Sequence, residues 1–223
     1  MQQLADKIWT FEATHHFYGI EMGTRMTGVR LEDDGLWLHS PVPFDETVRE
    51  HVDDLGEVRH IVAPNRFHHV YLDEWVDTYP GADLWAAPGL PEKRTDLAFD
   101  HVLTETTPPW HDQLDQQRIE GSRMLREVVF YHRPSCTLVT SDLFFNVHDP
   151  RSTFSKLYYW ANGVLGKPGI SSMVLLAYDD KQAARRSYEQ LLDWDFERIV
   201  IAHGEIVDED AHRVLRRVID EAF

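Results

Sequence analysis

Hairpins and crossover units follow one another along this chain, and that mixture limits the folds open to it. The β-rich segments "KIWTFEA" and "TRMTGVRL" precede an Asp-Asp-Gly turn and "GLWLHS", which is a hairpin signal. "REVVFYH" and "CTLVTSD" flank "RPS" in the same way. Between these pairs the pattern changes. "PFDETVREHVDDLG" predicts a helix closed by Gly56, "VRHIVA" a buried strand, "HHVYLDEWVDTYPG" a helix ended by Pro80 and Gly81, and "ADLWAAPG" a strand and turn. Hairpins need antiparallel pairs, so a single all-parallel sheet does not fit.

The second half extends the pattern. "TTPPWHDQLDQQ" reads as loop. Phe154, Leu157, Tyr158, Ala161 and Leu165 recur at helical spacing, and "DKQAARRSYEQLLDWD" predicts another helix. "ERIVIAHG" is a strand that ends at a histidine. Ala211, Val214, Leu215, Val218 and Ile219 then form one apolar stripe, with Asp208 as the expected N-cap. The expectation is an α/β chain, a single domain over residues 1–223, with two sheets packed together and helices outside.

Composition narrows the function. Hydrophobic residues make up 43% of the chain, enough for a sizeable core, and the net charge is −16. A field of that sign repels polyanions, which argues against nucleic acid as a partner. No apolar run approaches the ~20 residues of a membrane span. The N-terminal "MQQLADKIWTF" lacks the pattern of a signal peptide. Cys136 is the only cysteine, so no disulfide forms within the chain; it is expected as a small hydrophobe inside a strand. A cytoplasmic protein with no membrane partner is the expectation. No Gly-rich phosphate loop, GxSxG elbow or Cys-pair zinc motif is present.

Three places share one feature, a possible metal ligand at the C-terminal end of an apolar strand. They are His68 and His69 after "HIVA", Asp142 after "TLVTS", and His203 after "RIVIA". Strand ends bring residues distant in sequence into one cleft, and histidine with carboxylate suits zinc, iron or manganese. Each position alone also has a plain reading: a capping or solvent-facing His pair, an Asp in a turn, a histidine at a strand-to-loop turn. His132 at the hairpin tip is a reserve ligand. His15 and His16 lie near an early strand end.

Here the pattern resembles the metallo-β-lactamase superfamily. "LVTSDLFF" and "RIVIAHGEIV" are similar to its later Asp and His motifs, and "IVAPNRFHHVYLDEW" stands where its His-x-His-x-Asp-His motif falls. "LWLHSPV", "AAPGL" and "VVFYHRPSCTLVTSDL" resemble a branch of that superfamily described only as a domain of unknown function. The resemblance implies a four-layer αββα sandwich. Placing His69 on the motif's last His puts Pro64 and Arg66 where its first two histidines stand, and "RIEGSRMLREVVF" lacks the next ligand histidine. A shifted register would put Asn65, Phe67 and His69 on the motif instead. The first register implies one divalent ion, zinc first with iron or manganese as alternatives, held by His69, Asp142 and His203, with His68 as a fourth ligand or as a partner that supports them. Arg66 would stabilise an oxyanion. The implied activity is hydrolysis of a small ester, lactone, thioester or amide. The alternative is a non-catalytic chain that has lost its metal and binds a ligand or a protein partner.

Overall fold

The computed structural model describes residues 1–223. The first half runs β1 Gln2–Ala5, β2 Ile8–Ala13, a short hairpin of β3 His16–Phe17 and β4 Ile20–Glu21, β5 Thr24–Arg30, β6 Gly35–His39, α1 Glu46–Leu55, β7 Glu57–Ala63, α2 Leu72–Thr78, β8 Asp83–Ala86 and β9 His101–Val102. Apart from the short hairpin, these strands form a seven-stranded sheet in the order β1-β2-β5-β6-β7-β8-β9. It is antiparallel as far as β6 and parallel beyond.

The second half runs β10 Leu114–Arg118, β11 Val128–His132, β12 Thr137–Val139, β13 Phe145–Asn146, α3 Thr153–Ala161, α4 Ser172–Leu176, α5 Lys181–Leu191, β14 Arg198–Val200, β15 His203–Gly204 and α6 Ala211–Ala222. Strands β10-β11-β12-β14 make a four-stranded sheet, and β13 pairs in parallel with β15.

Side-chain alternation sorts these elements into layers. On the first sheet Leu36, Leu38, Ile61 and Leu84 pack with Val52 of α1 and Leu72 and Trp75 of α2. Their neighbours Trp37, Val62 and Trp85 face the other way and meet Val128, Phe130 and Val139 of the second sheet. On that sheet Val129, Tyr131, Leu138 and Ile199 pack with Tyr188 and Leu191 of α5 and Leu215 and Ile219 of α6. The result is helix, sheet, sheet, helix: the αββα sandwich. Strands covered on both faces read as unbroken buried runs, as "GLWLH" and "VVFYH" do.

Several local expectations change. Leu114–Arg118 is a strand, not loop, because its backbone pairs with β11 at the sheet edge. Its polar residues suit an edge, which hides the strand from a hydrophobic pattern. Helix α6 starts after Asp210, a left-handed residue with no side-chain cap bond, while Asp208 pairs with Arg198. Cys136 sits in the left-handed turn between β11 and β12, not inside a strand, and is only partly buried. Phe154 and Leu157 of α3 are exposed.

Candidate metal centre

Strand β7 gives out at Ala63, and α2 begins only at Leu72. The intervening turn is organised by Asn65, which is fully buried. Its Oδ1 accepts from the backbone N–H of Phe67 at 2.7 Å and of His68 at 2.8 Å, an Asx-type turn. The two adjacent histidines therefore diverge. His68 turns into the cleft. His69 faces Arg94, whose guanidinium lies 3.2 Å from its Nδ1 and donates to its carbonyl at 3.0 Å. Burial and the charges of Lys93 and Arg94 push the His69 imidazole down to about 4.

Asp142 follows β12 in a turn held from below by Glu127, which is completely buried. Glu127 accepts from the N–H of Ser141 at 2.7 Å and of Asp142 at 2.8 Å. Asn65 Nδ2 donates to Asp142 Oδ2 at 2.7 Å and also faces Glu127 and Ser141. Burial and the Asp142 charge push Glu127 up to about 7, against the N–H donors that favour its ionised form. Burial pushes Asp142 up too, but the facing imidazoles of His68 and His203 outweigh it and hold the carboxyl well below the usual range.

His203 opens β15. Its Nδ1 lies 2.9 Å from the carbonyl of Gly23. A carbonyl only accepts, so Nδ1 carries a proton and Nε2 faces the cleft. Arg25, buried beneath, fastens this loop by donating to the carbonyls of Ile201 and of Gly204 and pairing with Glu12. Gly204 takes φ +105, and a Cβ there would stand 2.2 Å from the Asn146 carbonyl oxygen.

Three donor atoms converge. His68 Nε2 is 3.3 Å from Asp142 Oδ1, His203 Nε2 is 3.1 Å from the same oxygen, and the two imidazole nitrogens are 3.3 Å apart. Donors placed tetrahedrally at 2.0–2.1 Å around a shared zinc ion stand about 3.3 Å from one another. The outer atoms are engaged as metal ligands require: His68 Nδ1 with Ser40 Oγ at 2.5 Å, His203 Nδ1 with Gly23, Asp142 Oδ2 with Asn65. Asp142 and Glu127 are two buried carboxylates with no Lys or Arg bonded to either. A cation between the imidazoles would offset that charge, so the donor set fits a divalent ion.

Above the three lies a pocket of about 580 Å³ whose walls are mostly apolar. His15 lines it and is 2.6 Å from Tyr71 Oη through Nδ1. Its pKa is lowered by burial and by His203 and His68. Lys93 is the one fixed cation on the wall; its ammonium donates to the Arg66 carbonyl at 2.6 Å and lies over the Phe67 ring.

A family model described as a domain of unknown function, DUF4336, matches residues 5–164. The chain belongs to the DUF4336 family. His68 and Asp142 of this DUF4336 chain fall inside the matched span, and His203 lies beyond it. No curated protein sequence matches it significantly. Among solved structures it is similar to a metallo-β-lactamase from Pontibacter korlensis, at 16% identity and TM-score 0.66, covering 98% of this chain and 96% of that one. It is also similar to DIM-1 metallo-β-lactamase, at 13% identity and TM-score 0.70, covering 100% and 97%. The metallo-β-lactamase FIM-1 from Pseudomonas aeruginosa in its mono-zinc form follows, at 12% identity and TM-score 0.64, covering 99% and 94%. At these identities the likeness establishes the metallo-β-lactamase fold.

Of the residues singled out in the sequence, His68, Asp142 and His203 come together, and His69, Arg66 and His132 do not join them. His69 is committed to Arg94. Arg66 donates to the Arg123 carbonyl at 2.9 Å and does not line the pocket, so its geometry supplies nothing to an oxyanion there. His132 is buried against Ser135 at the hairpin turn, outside the pocket. Sequence reasoning missed Glu127 and the supporting roles of Asn65, Ser40 and Arg25 in this DUF4336 site. For Asn65 a signal existed: Pro-Asn at the end of an apolar run favours an Asx turn. Glu127 and Arg25 carry no local signal, since their partners are distant in sequence.

Proposed function

We propose that this chain is a hydrolase working with one divalent metal ion at His68, Asp142 and His203, zinc first with iron or manganese as alternatives. The substrate carbonyl belongs to an ester, lactone, thioester or amide. One observation carries the reading: three donor atoms 3.1–3.3 Å apart sit at the floor of a pocket, with their outer atoms already engaged. When bound, the ion supplies Lewis acidity and lowers the pKa of a water to about 7.

The chain's own residues account for the rest. With His69 held by Arg94, only three protein ligands remain, and a coordination position stays free for water or substrate. Asn65, Ser40 and the Gly23 carbonyl fix the direction of each ligand. Apolar walls exclude bulk water and strengthen the charges inside. In the reaction the water oxygen bonds to the carbonyl carbon and the bond to the leaving O, S or N breaks. The leaving group takes up the water's proton. We assign the transfer of that proton to His15, which Tyr71 holds on the pocket wall.

The test is hydrolysis of chromogenic esters, thioesters and lactones by metal-free protein and by protein loaded with zinc, iron or manganese. The expected result is turnover that needs metal and drops at least about 100-fold in His203→Ala. Equal rates with and without metal, or an unaffected variant, would contradict the reading.

A further inference from the structure

Large apolar side chains on a soluble surface are usually scattered. Here they are not. Of the eleven that are exposed, all but Met1 lie on four segments: the β3–β4 hairpin, the turn after β7, the loop at Met124, and α3 with α4. Five of them, Phe17, Phe67, Val70, Met124 and Met173, line the pocket above His68, Asp142 and His203. Deeper in, Phe145 stacks on the His203 ring with centroids 5.2 Å apart. Apolar lining thus extends from beside the three donor atoms to the outer surface.

The polar content of the wall is as telling. Lys93 is its only fixed cation, and its ammonium is already bonded to the Arg66 carbonyl and placed over Phe67. Asp142 puts one carboxyl on the lining, with the buried Glu127 behind it. No free side-chain cation is left along the wall to pair with a phosphate or carboxylate carried on the apolar part of a ligand, and the charge of −16 repels one. A neutral ligand with one small polar group and a long apolar part matches the surface. Three methionines, Met22, Met124 and Met173, share the wall. Their unbranched, polarisable side chains adapt to a flexible chain rather than to one rigid outline.

We propose that this pocket binds an alkyl chain, and, resting on the hydrolase reading above, that the substrate is a neutral acyl ester, thioester or lactone. The chain lies along Phe67, Met124, Phe145 and Met173, which brings the carbonyl to His68, Asp142 and His203. Hydrolysis adds water across the carbonyl–leaving-group bond and yields a free acid.

Two measurements separate the pocket from the chemistry. In the first, 1-alkanols from butanol to decanol are titrated into metal-free protein and followed by calorimetry. Each methylene that enters the pocket is expected to tighten binding about four-fold, and Met173→Glu with Met124→Glu is expected to flatten that slope. Both residues are half exposed, so the fold tolerates the change. In the second, p-nitrophenyl esters of the same chain lengths are offered to metal-loaded protein, where KM should fall with chain length. Alkanol affinity that ignores chain length, or a slope unchanged in the double variant, overturns the alkyl-chain site. A clear alkanol slope with no ester turnover in any metal form upholds that site and overturns the hydrolase reading together with the acyl substrate.

Discussion

Asn65 Nδ2 donates to Asp142 Oδ2 at 2.7 Å, and this bond ties the turn after β7 to the turn after β12. The same side chain orients His68 through its Oδ1. One residue therefore sets the direction of two of the three donors. Asn65→Ala should cost about 10- to 100-fold in metal affinity, the usual loss when an outer-shell partner is removed. It should also cost about 1–3 kcal/mol of stability, because buried partners are left unpaired. Competition with a chromogenic chelator and urea unfolding read the two effects. An unchanged affinity would mean that the Asx turn does not position the ligands.

The third donor depends on a glycine. Gly204 stands at φ +105 against the Asn146 carbonyl, in the loop that Arg25 fastens. Gly204→Ala should destabilise the protein by about 1–3 kcal/mol and weaken the site by moving His203. Gly81→Ala is the control, since a Cβ there meets nothing within 4 Å and its φ is not positive. Thermal unfolding followed by circular dichroism should lower the midpoint in the first variant and leave it nearly unchanged in the second. Equal midpoints would remove the strain argument.

Acid stability should follow a histidine outside the pocket. His39 is buried between the sheets, stacked on Trp37 with ring centroids 5.4 Å apart. Burial, with a smaller contribution from His68, pushes its pKa from 6.5 down to about 3. Between those values the unfolded chain binds a proton that the folded one refuses. The stability contributed by neutral His39 is complete above about pH 6.5 and is lost as pH falls toward 3, at about 1.4 kcal/mol per unit. His132, pushed down to about 4 by burial, acts in the same direction. Metal-free wild type should lose about 2 kcal/mol more than His39→Leu between about pH 6.5 and 4.5. Identical pH slopes for the two would contradict this.

How far the sequence could be read depends on the range of each interaction. The layered fold was legible because apolar runs, turn residues and helix stripes are local: "GLWLH", "VVFYH" and the α6 stripe each declare a buried face. Leu114–Arg118 was not, because an edge strand is held by backbone pairing with β11 and its side chains need no apolar pattern. At the site, the three strand ends were legible as places. The choice between His68 and His69 was not, since it is made by Asn65 on one side and by Arg94, twenty-five residues on, at the other. The apolar spacing of α3 declares a helix but not which of its apolar residues are covered: Tyr159 is buried, whereas Phe154, Leu157 and Trp160 are exposed.

The divergence of His68 and His69 supports the central claim of a three-ligand metal site with a free position. Metal content of untagged protein, measured by inductively coupled plasma mass spectrometry, tests it most directly. The account predicts about one ion per chain in wild type and in His69→Ala, with loss of the ion in His68→Ala, Asp142→Ala and His203→Ala. Metal lost in His69→Ala but kept in His68→Ala, or far less than one ion per chain in wild type under metal-replete conditions, would contradict it.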